Sequence, residues 1–226
     1  AAARQPGART HRHALWSPTT SVGDPAAVLA AQVADVTAAG VQVACGAAVT
    51  GLDASTTSGG GVAVRVACAD GTAVIQAGHV VNAAGLYADK LAHAAGFGAD
   101  LAILPFIGLY MYVDAPLATL VYPLPALDRP FLGVHWTATV DGHTKVGPTA
   151  IPALWREQYP EPGWWRTFSA SEAVEVGGRG LAMLAANAGV RAMAGEEVRK
   201  YARSRMAAAA TAPLDGVPAS ALGAWG

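Results

Sequence analysis

Cysteine is nearly absent: of 226 residues only Cys45 and Cys68 are cysteines, far apart and outside any C-x-x-C spacing. That argues against a disulfide framework and a cysteine-based structural zinc site, and predicts two free thiols of a residue type that is usually buried. Charge is scarce too. Fifteen Lys+Arg and 16 Asp+Glu make up 14% of the chain, with a net charge of −1. So even a balance gives no electrostatic case for nucleic acid or an anionic membrane as partner. No apolar run reaches the roughly 18 residues that a spanning helix needs. The nearest, Leu101 to Val113, is broken by Pro105. There is no G-x-S-x-G, no H-E-x-x-H, no P-loop, no close pair of inward carboxylates and no G-x-G-x-x-G behind a strand.

Apolar residues are plentiful, at 53% of the chain, but 52 residues are alanine and bury little area each. A mean hydropathy of +0.32 excludes a disordered chain. The length accommodates one domain or pieces of two. The first 13 residues are basic and free of acid, which superficially suits a transit peptide. They open on Ala1 rather than methionine and run straight into patterned sequence, so the chain reads as an excerpt of a longer one.

Asp24 as N-cap, Pro25 in the first turn and apolar Val28, Leu29, Val33 and Val36 predict a helix ending at Gly40. Strand-like segments follow at 41–45 and 48–52, then a Ser/Thr/Gly loop over 55–61. The triple glycine 59–61 opens no helix and reads as a turn. Residues 62–68 alternate, and Asp70-Gly71 supplies a hairpin turn into 72–76. The segment 79–85 reads as a short buried strand leading into a helix over 87–95, the arrangement found at the ligand edge of an open α/β sheet. From Leu101 the texture changes. Strands are predicted over 103–113, 120–125 and 131–140, the last turning through Asp141-Gly142 into 143–147. Beyond Pro162 the pattern is helical: one helix from Ser169 to about Gly177, one over 181–188 and one over 190–206 interrupted near Gly195. Arg199, Lys200, Arg203 and Arg205 read as the solvated face of that last helix.

Among six histidines, His135 stands apart because it lies mid-strand, on one face with Gly133 and Thr137. His11, His13 and His93 read as surface or core-edge residues; His79 precedes a strand and His143 sits in a hairpin turn. An imidazole beside a small residue and a hydroxyl is a candidate general base. A hydrogen-bonded structural histidine is the alternative. Spacing and composition alone name no reaction.

VVNAAGLYADKLA (80–92), ILPFIGLYMYV (103–113), LVYPLP (120–125), RPFLGVHWT (129–137), DGHTKVGPTAI (141–151) and REQY (156–159) occur in order. Together they resemble the FAD-dependent L-2-hydroxyglutarate dehydrogenases of the D-amino-acid-oxidase-like flavoprotein superfamily. LWSPTTSVGDPAAV upstream and LGAWG downstream extend the resemblance from about Leu15 to Gly226. It implies an α+β chain: an incomplete FAD-binding Rossmann-like domain over 23–100 and an antiparallel-sheet substrate domain over 101–226, helical beyond about 160. Residues 1–22 would form an edge of the substrate domain. It also implies FAD as cofactor, a small dicarboxylate as substrate, oxidation of L-2-hydroxyglutarate to 2-oxoglutarate by hydride transfer to flavin, and a mitochondrial location in eukaryotes. The electron acceptor stays open.

Carried over residue by residue, the resemblance makes His135 the base and Tyr110 and Thr137 substrate-binding residues. Val49 becomes the position whose backbone meets adenine, and Asn82, Ala83, Ala84 and Gly85 the small-residue segment against the cofactor. A core-edge tyrosine, an ordinary strand threonine and tight strand–helix packing are the respective alternatives. Three positions depart from the pattern: Ile107 replaces an arginine that would be a natural carboxylate or flavin partner, Leu109 replaces an acid, and Thr149 replaces an asparagine. The N-terminal glycine-rich segment and the C-terminal Gly-x-Arg segment are not in this sequence, so these 226 residues by themselves are expected not to retain FAD. Two other readings stay open: a flavoenzyme for an amino acid or glycerol phosphate, and a non-catalytic remnant.

Overall fold

The computed structural model describes residues 3–53, 61–125, 132–159 and 163–225. The chain is mixed α+β and divides into two compact units, one of residues 29–105 and one of residues 1–28 with 106–226. Most of the loop expected over 55–61, the start of the strand expected at Phe131, and Pro162 lie outside the described residues.

In the unit of residues 29–105, β1 (Ala48–Asp53), β2 (Val62–Cys68) and β3 (Gly71–Ala77) form an antiparallel meander. Cys68 pairs with Gly71, so the tip of the hairpin is Ala69-Asp70, one residue before the expected Asp70-Gly71. Preceding the sheet, α1 (Pro25–Ala38) begins as the sequence dictates: Asp24 Oδ1 accepts the Ala26 N–H at 2.9 Å. Its apolar residues Val28, Leu29, Val33 and Val36 are all exposed.

Two expected strands are not formed. Residues 41–45 and 79–84 are irregular, and Val81 is 89% exposed. An extended segment becomes a strand only when a neighbour takes its N–H and C=O groups, and every strand pairing among the described residues is antiparallel and involves other segments. The same exposure overturns the expectation of buried thiols: Cys45 follows the irregular 41–44 stretch, Cys68 ends β2, and both are exposed. The short α2 (Ala88–Ala94) is tied to the chain after it. Asp89 Oδ2 accepts the Ile103 N–H at 3.0 Å, and His93 Nε2 lies 2.7 Å from the Gly98 carbonyl.

The other unit is built on a four-stranded antiparallel sheet of β4 (Phe106–Val113), β5 (His135–Ala138), β6 (Thr144–Pro152) and β7 (Leu222–Trp225), in the order β5-β6-β4-β7. The segment 120–125 contributes one bridge, Val121 to Trp136, rather than a strand. Helices α3 (Ala170–Ala186), α4 (Ala188–Lys200) and α5 (Arg203–Thr211) follow. Ser169 caps α3 as expected, accepting the Glu172 N–H. The helix nevertheless runs nine residues past Gly177, because glycine in a helix costs only about 1 kcal/mol. Arg179 pairs with Glu175 one turn away, and Val176 is buried. The break comes at Asn187, whose Oδ1 accepts the Gly189 and Val190 N–H groups and starts α4. Gly195 likewise leaves α4 intact; the next break is at Tyr201-Ala202.

One face of this sheet is the core. Met111, Val113, Trp136 and Val146 pack with Met206, Ala210, Leu214 and Leu222. The buried Trp136 indole donates to the Ala210 carbonyl at 2.9 Å, fixing α5 against β5. Arg203, expected on a solvated face, instead donates to the carbonyls of Leu222 and Gly223 and ties α5 to β7. Lys200 pairs with Glu197 at 2.5 Å.

Candidate active site

The other face of the sheet carries the residues with chemistry. Antiparallel register sets His135 opposite Gly147 and Thr137 opposite Lys145, and Lys145 in turn opposite Tyr112. Cross-strand partners share a face, so His135, Thr137, Lys145 and Tyr112 project together, away from Trp136 and Val146. A one-residue register shift between Leu109 and Met111 sets Tyr110 opposite two residues, Gly147 and Pro148, which form a bulge in β6. Only glycine fits there: a Cβ on Gly147 would lie 2.8 Å from both the Tyr110 ring and the Leu109 carbonyl.

His135 is buried, 5% exposed. Its Nδ1 lies 2.9 Å from the Gly133 carbonyl, an acceptor. Nδ1 therefore holds the hydrogen of the neutral ring, and Nε2 keeps a lone pair. Tyr122 stacks on the imidazole with centroids 4.3 Å apart and planes at 16°, and Tyr110 meets it edge-on at 6.0 Å. Burial moves the imidazole pKa below its ordinary value; the Gly133 hydrogen bond opposes that shift and the charge of Lys145 adds to it. The ring is thus neutral near pH 7. Burial, with a smaller contribution from Tyr122, raises the Tyr110 hydroxyl and keeps it a hydrogen-bond donor. Lys145 Nζ sits 4.6 Å above the centre of the Tyr110 ring.

Tyr110, Thr137 and His135 thus lie on one sheet face. Val49 and the 82–85 segment belong to the unit of residues 29–105. There Val49 is exposed on β1 next to a register shift. Asn82 organises its own segment: its Oδ1 accepts the Ala84 N–H, and its Nδ2 donates to the Ala88 carbonyl at 2.8 Å. Ala83 and Ala84 are exposed, and Gly85 has a φ of +55°.

Sequence reasoning missed Tyr122. The bridge of Val121 to Trp136 sets Tyr122 beside His135; an isolated bridge leaves no periodic trace, and the aromatic inside LVYPLP was the available signal. Beside Tyr122 opens a groove of about 580 Å³, lined in part by Arg9, His11, His13, Trp16 and Leu124 and free of acidic residues. The departures at 107 and 109 also read differently in three dimensions. Ile107 pairs with Ile151 and buried Leu109 with Thr149, on the helix-covered face opposite His135. The charge expected there would not join the His135 cluster, because strand alternation turns those positions away. Thr149 is fully buried and donates to the Glu197 carbonyl of α4 at 3.2 Å, a packing role. Among the described residues no cluster of three His, Cys, Asp or Glu could hold a metal ion, and no helix is long and apolar enough to cross a membrane.

A family model, FAD dependent oxidoreductase, matches residues 1–175. Curated relatives include the mitochondrial L-2-hydroxyglutarate dehydrogenase of Nematostella vectensis, 33% identical over 65% of this chain and 34% of that protein. The mitochondrial human protein of the same name is 37% identical over 45% of this chain and 22% of its own length. L-2-hydroxyglutarate dehydrogenase of Escherichia coli strain K12 is 38% identical over 45% of this chain and 24% of its own length. The matched stretches span about a third or less of these relatives.

Proposed function

The chain belongs to the FAD dependent oxidoreductase family, and from that premise we propose that it forms part of an enzyme oxidising L-2-hydroxyglutarate to 2-oxoglutarate. The relatives' names motivate the substrate, and the His135 constellation carries the chemistry. Family membership does not bring a compartment with it, since relatives of that name are both mitochondrial and bacterial.

The residues present fit one flank of a flavin nucleotide. Small, exposed Ala83 and Ala84 and the left-handed Gly85 leave backbone open to close approach, and Asn82 fixes the turn that presents them. In this reading the unit of residues 29–105 is the cofactor-domain portion, with Val49 near the adenine, and the sheet β5-β6-β4-β7 belongs to the substrate domain. When bound, the flavin supplies the hydride acceptor.

His135 Nε2 takes the proton of the C2 hydroxyl as the C2–H bond breaks, so that a carbonyl forms without an alkoxide or an oxonium having to persist. The Nδ1–H bond to Gly133 holds the ring in the tautomer this needs, and Tyr122 fixes its plane. Tyr110, kept protonated by its surroundings, donates a hydrogen bond to a substrate carboxylate, and Thr137 on the same face does likewise. The observation that supports the reading most is a buried, neutral histidine with an oriented lone pair on an otherwise open sheet face.

The test is turnover by the complete, flavin-loaded enzyme of which the chain forms part, on L-2-hydroxyglutarate, D-amino acids and glycerol 3-phosphate side by side. Bleaching of the flavin with formation of 2-oxoglutarate on the first alone is the expected result. Preference for either of the others refutes this substrate, and a loaded protein inert to all three refutes the enzyme reading.

A further inference from the structure

Lys145 has no role in the proton transfer above, yet its surroundings are unusual for a lysine. It projects from β6 on the face of His135, two residues before Gly147, which pairs with His135. It is half-buried, and its ammonium lies against the Tyr110 ring at 4.6 Å from the centroid. Among the described residues no Asp or Glu forms an ion pair with it. A half-buried lysine covers apolar surface with its stem and keeps its ammonium available for a partner; here the ammonium rests on a π face, whose attraction leaves it free to take an anion as well. Its positive charge is felt at the imidazole, where it favours the neutral ring. The cation is therefore held in position, with capacity for an anion that none of the described residues supplies.

We propose that Lys145, backed by Tyr110, is the specificity residue that receives the substrate carboxylate remote from the carbinol. The proposal rests on the reading of His135 as the base at the reacting carbon. The position follows from the register: one cross-strand pair separates His135–Gly147 from Thr137–Lys145, an offset of about 7 Å along the strand. A hydroxyl at His135 thus leaves a carboxylate three carbons further on within reach of the lysine's flexible stem. The site accordingly takes a 2-hydroxydicarboxylate in preference to a 2-hydroxy acid with an apolar tail.

The experiment compares wild type, Lys145→Met and Lys145→Arg in the complete, flavin-loaded enzyme, on L-2-hydroxyglutarate and on L-2-hydroxybutyrate, which has the same reacting centre and no distal carboxylate. Lys145→Met is expected to raise KM for L-2-hydroxyglutarate by about 10–100-fold, the worth of one charge-assisted hydrogen bond. On the pH plateau above the imidazole limb its kcat stays within a few-fold, and the hydroxybutyrate kinetics do not change. Lys145→Arg recovers part of the loss because it keeps the charge. An equal effect on both substrates, an unchanged KM, or identical defects in the Met and Arg variants overturns the proposal while leaving the dehydrogenase reading intact. Calorimetric binding of glutarate, an unreactive dicarboxylate, judges Lys145 separately from turnover. If the wild type is inert but binds glutarate and Lys145→Met does not, the dehydrogenase reading falls and the carboxylate site stands. If the wild type does not bind glutarate, the carboxylate site falls. The titratable groups around His135 are Tyr110, Tyr122 and Lys145, and loss of the Lys145 charge moves the acid limb of kcat/KM to higher pH for both substrates alike, so the variants are compared on the plateau above that limb.

Discussion

Replacing His135 separates its proposed chemistry from its packing, because the two imidazole nitrogens have different partners. In His135→Asn the amide Nδ2 falls near the former Nδ1 and still donates to the Gly133 carbonyl, 2.9 Å away in the native protein. The variant keeps the structural hydrogen bond and loses the Nε2 lone pair. Loss of a positioned base lowers turnover by about 10²–10⁴-fold, roughly 3–5 kcal/mol in the barrier. The packing cost is smaller: removing the stacked contact with Tyr122 is worth about 0.5–1.5 kcal/mol. Stopped-flow bleaching of the flavin by L-2-hydroxyglutarate measures the first quantity, and urea unfolding measures the second. His135→Gln is the counterpart; its amide reaches toward the Nε2 position and forfeits the Gly133 bond, so it loses stability as well as rate. The wild-type pH profile adds a check with a definite sign. Burial lowers the His135 pKa, so kcat/KM should hold down to and somewhat below the ordinary imidazole value of about 6.5, then fall as Nε2 is protonated. Stability follows the same direction, fully present above the unfolded-state pKa and lost as pH falls through the lower folded value. A reductive half-reaction in His135→Asn within a few-fold of wild type across pH 6–9 would refute the assignment.

Tyr122→Ala opens the face of His135 to water; the imidazole pKa, followed by NMR, should rise toward its ordinary value, and an unchanged titration would mean that Tyr122 does not bury the ring. Met206→Ala empties a fully buried position between α5 and the sheet and should cost about 2–5 kcal/mol in urea unfolding with an unchanged m-value; a loss under 1 kcal/mol would contradict the core described here. Ser169→Ala removes the acceptor for the Glu172 N–H and should cost about 1 kcal/mol, with faster amide exchange confined to the first turn of α3. Uniform exchange along α3 would show that the cap does not set its start.

Local chemistry made several elements legible in the chain itself. Asp24-Pro25 and Ser169 start helices through backbone bonds to residues two or three positions away, Asp141-Gly142 turns β5 into β6 with Gly142 at a φ of +85°, and strict alternation marks β2. Each depends on neighbours in sequence, so a sequence can state it. The motifs from Val80 to Tyr159 were likewise sufficient to reach the family. The failures share one physical cause. Whether 41–45 and 79–84 become strands depends on a distant partner for their backbone groups, and among the described residues none supplies it. Whether Gly177 ends a helix depends on packing worth about as much as the glycine costs. Both cysteines looked like core residues by type and lie exposed by position.

The candidate site divides along the same line. Sequence determined which side chains are available: a histidine two residues from a threonine on an alternating strand, and a tyrosine in the neighbouring motif. Only the tertiary structure decided their company. The bulge at Gly147-Pro148 opposite Tyr110, the bridge that brings Tyr122 onto the imidazole and the register that sets Lys145 across from Thr137 all depend on pairings between residues distant in the chain. It also decided that Ile107 and Leu109 face away from His135. A strand's two faces are written in its sequence, but which face meets the helices and which is left open is fixed by packing, here by Trp136, Met111 and Val146 against Met206 and Ala210.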